Sequence, residues 1–599
     1  MLSEGVNNND GSWTVQTANV ADLTITTLDS YTGAQLLTIT QQWTQTDGSV
    51  GSSSMLSNLE AYAPGSPIFA ISTDDNLSGS IGADTFVFAQ PMGNNKVFNF
   101  NASMDKIDLI GFSGINNYTD LTITDDGQGN ALITNGAGQS ITLMGVHAIA
   151  LSAINFIFNV EPIMYNTGTM VISDGAILPL GGTVVNTGSI VLDSSGNTTN
   201  LEVLIKNVTL EGGGTVVLSD NANNVIFGGA QDAMLINIDN IISGAGQLGA
   251  GQMTLSNSGV ILANGVNALL IDTGTNKVVN TQTGILQSAG TGGLQIAGGL
   301  VNTGLIWANG GNIVIDGDAS GAGIALISGN ATLEFGAASD QYVSFAPVGD
   351  GTLILDDASA FTGRINGFNA GDRINLENIS FGANDTVTYV ANDDGTGGKL
   401  CVSDGMHTAQ LEIDGQYIAA GLQSDGAGGI ELAYGMGATS NTMLGGSAND
   451  LLTGGAGNDL LQGGIGNDSL TGGLGADVFK WSLSDQVNED NPANDIVKDF
   501  SIAQGDSLDL SDLLMGEHDG STDGLANNLT SYLHFEKSSS GTDTVIFIST
   551  SGDFKAGFDS AKVDQTITLD QVVVDVIGNS TQQQIIDDLT KQQVIRLDH

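Results

Sequence analysis

The chain has one cysteine, Cys401, in 599 residues. A single thiol excludes an internal disulfide framework and a Cys-based zinc site, and without a CxxCH motif there is no covalent haem. Basic residues are scarce as well: 14 Lys and Arg stand against 65 Asp and Glu, for a formal net charge of −51. Nucleic acid and anionic membranes need basic surface and are excluded as partners, whereas cations are favoured. Long apolar runs are missing. The best, "VHAIALSAINFIFNV" from Val146, is about 15 residues long and too short to cross a bilayer, so no membrane insertion is expected. The opening "MLSEGVNNNDGSW" has neither a basic region nor an apolar core, so export is expected by a route that uses no amino-terminal signal. Proline is rare too, with 7 residues against 84 glycines, and helical content should be low. With 41% apolar residues the chain can still build real cores, and its length implies several domains.

What is present is repetition. "GGSANDLLTGGAGNDLLQGGIGNDSLTGGLGADVFK", Gly445 to Lys480, divides into four blocks of nine, each opening Gly-Gly with Asp sixth. The regular apolar position is the eighth: Leu452, Leu461, Leu470 and Phe479. Burying such a side chain returns roughly 1.5–3 kcal/mol, while ordering each residue costs about 1–2 kcal/mol and glycine sits at the expensive end. Something else must bind the folded form. The blocks match GGxGxDxUx, the pattern of calcium-binding parallel β-rolls. Six residues turn and three form a strand, so block n stacks on block n+2. Asp450 then lies above Asp468 on one edge, and Asp459 above Asp477 on the other. Each pair would clamp Ca²⁺, with carbonyls of Gly446, Gly455, Gly457, Gly464, Gly466, Gly473 and Gly475 completing a six-to-eight oxygen shell. A degenerate turn precedes the first block, with Asn441 at the Asp position and Met443 at the apolar one; Ala448 replaces a glycine in the first block. In-phase Asp and large apolar residues are not linker composition. "DDGTGGKL" lacks the first glycine (Asp393) and the Ser/Thr (Leu400) of a phosphate loop and reads as a hairpin turn.

These blocks resemble the RTX repeats of bacterial proteins exported by type I secretion. The resemblance implies an uncleaved carboxy-terminal signal and the secretion machinery as a partner. By that resemblance the signal is the closing stretch "STQQQIIDDLTKQQVIRLDH", in which Ile585, Ile586 and Leu589 mark a short amphipathic helix. The flanking sequence recurs. "GADVFKW" at 475–481 is echoed by "GADTFVF" at 82–88. "DFSIAQGDSLDL" from Asp499 is echoed by "NFNASMDKIDL" from Asn99 and "GFNAGDRINL" from Gly367. Three related β-modules follow. The first carries vestigial calcium turns with Asp75 and Asp84, read as lying on opposite edges with no stacked partner.

Between about 161 and 335 a looser repeat begins at Asn166, Asn186, Asn257, Asn280 and Asn302, at close intervals of about 20–23 residues. That is one coil of a parallel β-helix. The region resembles β-helical segments of large bacterial surface adhesins. The front end alternates like strands and resembles the closing strands of immunoglobulin-like extender repeats.

The expected fold is all-β, a parallel β-helix plus an RTX calcium β-roll and three related β-sandwich-like modules. The parts are a partial immunoglobulin-like sandwich or edge sheet (1–70), an RTX-related module (71–160), the β-helix (161–339), a second module (340–434), the roll (435–481) and a carboxy-terminal module with the secretion signal (482–599). The expected function is that of a secreted, extracellular calcium-binding adhesin or biofilm-matrix protein of the giant RTX adhesin kind, with surface polysaccharide or further copies of itself as partners. A self-assembling surface-layer or filament subunit is the alternative, and an RTX polysaccharide-modifying β-helix enzyme the third. The chain is expected to be non-enzymatic. From 107 to 363 its only basic residues are Lys206 and Lys277, too few for a lyase on acidic sugar. Asp316 and Asp318 are the one glycosidase-like pair. His147 and His407 are scattered, and Trp307 reads as part of a strand.

Overall fold

The computed structural model describes all residues except 1, 18–22, 29, 135–137, 231, 382–384, 393–395, 416–419, 425–428, 435–439, 486–491, 521–526, 575–580 and 598–599. The chain is nearly all β, and among the described residues the one α-helix is Gln582–Lys591. It divides into two units, Met1–Gly317 and Asp318–His599.

In the first unit, Gly33–Thr44 and Val50–Ala61 pair antiparallel along their whole length. The turn between them is set by Asp47, whose carboxylate accepts from the Ser49 N–H, and by Gly48 at φ 85°. Only the foot of this ribbon joins other strands, where Gly33 and Ala34 pair in parallel with Val171 and Ile172. The front end is therefore a two-stranded ribbon laid on a coil and not a sandwich. Among the described residues, the only other strands before it are the two-residue pieces Val6–Asn7 and Trp13–Thr14.

The following module begins as a parallel roll. Asn76–Ser78 pairs with Asn94–Phe98, and Thr85–Ala89 with Lys106–Ile110. It finishes as an antiparallel meander through Thr122–Asp125, Ala131–Thr134 and Ser140–Leu143. Phe86, Phe88, Val97, Ile107, Leu109, Ile141 and Leu143 fill the space between its sheets.

From Ile163 the chain winds as a parallel solenoid. A typical coil has three short strands, such as Gly246–Gly249, Met253–Asn257 and Val260–Ala263. The next is Leu269–Ile271, Val278–Asn280 and Ile285–Ser288. Alternate side chains point inward, which is why Leu248, Leu255, Ile261, Leu269, Ile271, Leu286 and Ile306 are buried. Coil length varies more than the sequence intervals imply, from 19 residues (Ile242 to Ile261) to 27 (Val208 to Leu235). The extra residues sit in turns, where insertions leave the register of the strands intact.

The recurrent asparagines explain how the stack holds its corners. Asn237, Asn257, Asn280 and Asn302 are buried one above another, each amide Nδ2 donating to the Oδ1 of the next at 2.8–2.9 Å. Asn166, Asn186 and Asn240 form a second such run at 2.8 Å. Asn237, Asn257 and Asn280 also donate to a turn carbonyl, as Asn257 does to Gly259 O at 3.1 Å. Asn257→Ala leaves Asn237 Nδ2 and Asn280 Oδ1 each short of a bond, so it should cost about 1–3 kcal/mol, read as a lowered urea midpoint of the first unit.

At the ribbon's foot three carboxylates, Glu60, Asp75 and Glu202, lie close enough to repel one another. Glu202 is fully buried and accepts from the Ser72 N–H at 3.3 Å. Asn58 ties the ribbon to both backbone groups of Ile177, at 2.7 and 2.9 Å. Burial first, then Asp75, pushes the Glu60 carboxyl up to about 8; burial also raises Asp75 and Glu202. The folded state thus keeps a proton that the unfolded chain releases near 4.5. The associated stability is complete at the acid end and is lost as pH rises toward 8. Hydrogen exchange of residues 50–61 should accelerate between about pH 5 and pH 8 beyond its intrinsic rate, and Glu60→Gln should flatten that dependence.

Candidate metal centre

The second unit opens with parallel coils. Ala325, Val343 and Ile365 stack in one sheet, and Leu333, Leu353 and Ile374 in another. The strands Thr386–Ala391, Gly397–Ser403 and Thr408–Asp414 then form an antiparallel meander. "DDGTGGKL" is the link between the first two; residues 393–395 of it lie outside the described residues. The nonapeptides follow as two parallel stacks. Leu452 pairs with Leu470, while Met443 pairs with Leu461 and Leu461 with Phe479. Block n stacks on block n+2, the spacing on which the sequence reading rests.

On each edge an Asp carboxylate accepts the backbone N–H of its counterpart one coil earlier. Asp450 N donates to Asp468 Oδ1 at 2.8 Å, and Asp459 N to Asp477 Oδ1 at 2.8 Å. Asn441 N donates to Asp459 Oδ1 at 2.6 Å, which brings the degenerate turn into the same line. The stack continues past the repeats through two residues the sequence reading missed. Asp468 N donates to Asp495 Oδ1 at 2.8 Å, and Asp477 N to Asp506 Oδ1 at 3.0 Å. A signal exists: "NDIV" and "GDSL" repeat the block pattern "NDLL". Their offsets are 27 and 29 residues in place of 18, so a fixed period hides them.

Three of these carboxylates carry an unanswered oxygen. Asp459, Asp468 and Asp477 are at most 1% exposed, and the Oδ2 of each is buried without a hydrogen-bond partner. Burial is the leading cause that pushes them to about 6, 7 and 6. The ends of the stack differ. Asp495 Oδ2 accepts from Trp481 Nε1 and Gln565 Nε2, both at 2.7 Å, and Asp506 Oδ2 from the Ser501 N–H at 2.8 Å. Asp450 Oδ2 accepts from the Gly446 N–H at 2.8 Å.

Glycine makes room for these oxygens. A Cβ on Gly454, Gly463 or Gly472 would lie 2.3–2.5 Å from the Oδ2 of Asp459, Asp468 or Asp477. Gly455, Gly464 and Gly473 take φ of 88–101°, and Gly457, Gly466 and Gly475 take 137–151°. Close stacking brings the Gly455, Gly457, Gly446 and Ala448 carbonyls against the coil that follows. Among the described residues no three acidic, His or Cys side chains converge on one point. The donor set is paired carboxylates with backbone carbonyls, all oxygen, which fits a hard cation of calcium's size.

The first module shows the contrasting case. Asp84 does have a stacked partner, contrary to the sequence reading: its N–H donates to Asp105 Oδ1 at 3.0 Å. The partner comes from the "NFNASMDKIDL" motif and not from a nonapeptide. Asp84 is also already satisfied, by the Ser80 N–H at 2.6 Å and the Ser80 hydroxyl at 2.9 Å. Asp75 accepts from the Asn76 N–H at 2.7 Å. Both oxygens of each carboxylate accept a hydrogen bond, unlike Oδ2 of Asp459, Asp468 and Asp477.

Residues 444–479 match the family model of the RTX calcium-binding nonapeptide repeat, in 4 copies. The roll is made of RTX repeats and binds calcium. No curated protein matches the chain. Among solved structures, a subunit of a mannuronan C5-epimerase from Azotobacter vinelandii is 26% identical over 24% of this chain and 91% of its own, with a TM-score of 0.15. That structure belongs to an enzyme, and the expectation of a non-enzymatic chain is corrected on that finding. Of the residues weighed for other chemistry, Asp316 accepts from Gln295 Nε2 at 3.0 Å, and His147 and His407 pair with Asp125 and Asp404. Trp307 alternates with buried Ile306 and Ala308 and so faces outward from its strand. No helix among the described residues is long and apolar enough to cross a membrane.

Gly463 does not take a positive φ, so Gly463→Ala acts through its Cβ alone. It should weaken calcium binding roughly tenfold, about 1.4 kcal/mol, in titration calorimetry. Asp84→Asn should leave the isotherm unchanged.

Proposed function

We propose that the chain is a secreted extracellular RTX protein that leaves the cell unfolded by type I secretion and folds its roll on calcium outside. There it serves as an adhesin or biofilm-matrix protein, with the solenoid as its surface. The observation that carries this is the set of buried, unanswered carboxylate oxygens on Asp459, Asp468 and Asp477. A buried polar atom without a partner costs about 1–3 kcal/mol, so the roll as folded requires a cation. The proposed ligands are the carboxylates of Asp450 and Asp468 on one edge and of Asp459 and Asp477 on the other, with Asn441 closing the outer turn. Carbonyls of Gly446, Gly455, Gly457, Gly464, Gly466, Gly473 and Gly475 complete the shells. At calcium ten times Kd each site adds about 1.4 kcal/mol, and extracellular modules commonly work at Kd near 10⁻⁴–10⁻³ M. Cytosolic calcium is far lower, which keeps this segment unfolded before export.

Hydrogen exchange of the full chain in EGTA and then in millimolar calcium tests the folding step. Residues 441–510 should gain protection on calcium, while the solenoid residues 163–309 should be protected in both. A roll already protected in EGTA removes the reading. Adhesion is read separately, by retention of the calcium-loaded chain on bacterial cells and matrix polysaccharide; turnover of the polysaccharide would assign the solenoid to an enzyme.

A further inference from the structure

The ribbon and the solenoid share one outward face. Gly33 and Ala34 pair with Val171 and Ile172, so the ribbon continues one sheet of the solenoid. That sheet runs through Thr169–Ser173, Ser189–Asp193, Thr215–Leu218, Ile241–Gly244, Val260–Ala263, Ile285–Ser288 and Leu305–Asn309. Side chains alternate between the two faces of a sheet. Ala34 and Ile172 are fully buried and point inward, so Gln35 and Leu37 share the outward side with Val171. Leu36 and Asn58, on the inward side, seat the ribbon on the coil. A Cβ on Gly175 would lie 2.9 Å from Leu36 Cδ2, and Asn58 holds both backbone groups of Ile177. The ribbon's other side faces away from the coil and carries Leu37, Leu59, Ile39, Met55 and Trp43. The last three are 41%, 62% and 46% exposed.

The solenoid part of this face is aliphatic along its rows. One outward row runs Ile241, Val260, Ile285, Leu305. The next begins with Val171, Val191 and Val217 and reaches Leu262 and Trp307. Ile241 is exposed and the others are half-exposed. Charge is nearly missing. In a chain with 65 acidic residues, the outward positions of these nine strands hold one charged side chain, Asp193. A different side of the first coils is already occupied: Phe69 of the following module lies against Gly181 and Leu204.

We infer that this face is where two copies of the chain meet, sheet on sheet, related by a two-fold axis. Copies of net charge −51 repel each other, and a contact that buries Asp or Glu without a counter-charge is strongly disfavoured. Here a second copy offers the same uncharged aliphatic rows, so an isologous contact buries no acid except at the Asp193 rim. The two sheets then pack about 10 Å apart, as the layers of a sandwich do. Nine strands at about 4.8 Å spacing, each showing about 15 Å of outward length, give about 550 Å² per copy and about 1,100 Å² for the pair. A specific interface needs about 1,000 Å², so the area suffices for a weak, reversible dimer. Other occupants fit less well. An acidic glycan meets no cation on this face, and a neutral one has only Trp307 and Trp43 to stack on. The inference is independent of the calcium ligands proposed above.

Sedimentation of the full calcium-loaded chain across a concentration series tests it. The wild type should pass from monomer to dimer mass as the chain is raised through about 1–100 µM. Raising salt from about 0.05 to 0.5 M should tighten the dimer, because it screens the repulsion of two acidic copies and leaves an apolar contact in place. Leu262→Glu should weaken the dimer about a hundredfold by placing unpaired carboxylates in the contact. Met55→Glu tests the ribbon end in the same way and keeps the test sound if Leu262→Glu disturbs the solenoid. Val279→Glu, which is 38% exposed on a different sheet, should leave the dimer unchanged. A wild type that stays monomeric at every concentration and salt overturns the inference. So does a dimer that ignores both Leu262→Glu and Met55→Glu, or one that Val279→Glu weakens equally. A monomer whose retention on matrix polysaccharide is lost in Leu262→Glu assigns the face to a glycan and overturns it too.

Discussion

In both kinds of coil, a turn side chain reaches across to the next coil and hydrogen-bonds to it. In the solenoid that side chain is asparagine, which carries a donor and an acceptor, so each amide answers the next and the run closes on itself. In the roll it is aspartate, which when ionised only accepts. Its Oδ1 takes the backbone N–H of the neighbouring coil, and its Oδ2 is left over. The exchange of an amide nitrogen for an oxygen decides whether the stack stands alone or waits for a cation.

The three related modules show the same choice made three ways. Each has a lower Asp that accepts the N–H of its own turn: Asp105 from Asn101, Asp372 from Asn369, Asp506 from Ser501. That contact is shared, so it belongs to the fold. The residue above varies. In the carboxy-terminal copy it is Asp477, with a spare oxygen. In the first it is Asp84, whose carboxylate is filled by Ser80, the residue that stands where the roll has Gly473. In the middle copy it is Gly351, and no carboxylate remains to be filled. Serine for glycine, or glycine for aspartate, keeps the turn and leaves no unanswered carboxylate oxygen at it.

Much of this was legible in the sequence, and for a physical reason. Asp450, Asp459, Asp468 and Asp477 recur at nine residues because the roll has no slack: turn and strand lengths are fixed by the stacking. The asparagines at 166, 186, 257, 280 and 302 were legible because a buried corner accepts little else. Asn237 and Asn240 escaped because their coil reads "NIDNII" and lacks the Thr-Gly or Ser-Gly that follows the others. Asp495 and Asp506 escaped because the loops before them lengthen the period without changing what the Asp does. The front end reads as a partial sandwich or an edge sheet, and the sequence leaves both open, since alternation marks a strand but does not say how many partners it will have.

The contrast in apolar content per coil explains why calcium dependence sits where it does. A solenoid coil such as 246–263 turns Leu248, Met253, Leu255, Ile261 and Ala263 inward, all at most 1% exposed. A roll coil of two nonapeptides has only Leu452 and Leu461 for the same task. Its stacked aspartates add repulsion, Asp477 acting on Asp459 and both Asp495 and Asp450 on Asp468. Each solenoid coil thus carries enough buried apolar surface to hold its register with neutral amides alone. Each roll coil has too little core and too much like charge, and a cation between the coils removes both deficits at once: it cancels the repulsion and answers the oxygens that no N–H reaches. In a chain of net charge −51, the acids that lack an answer from the protein's own donors are therefore not the many exposed ones but the few that are buried in line.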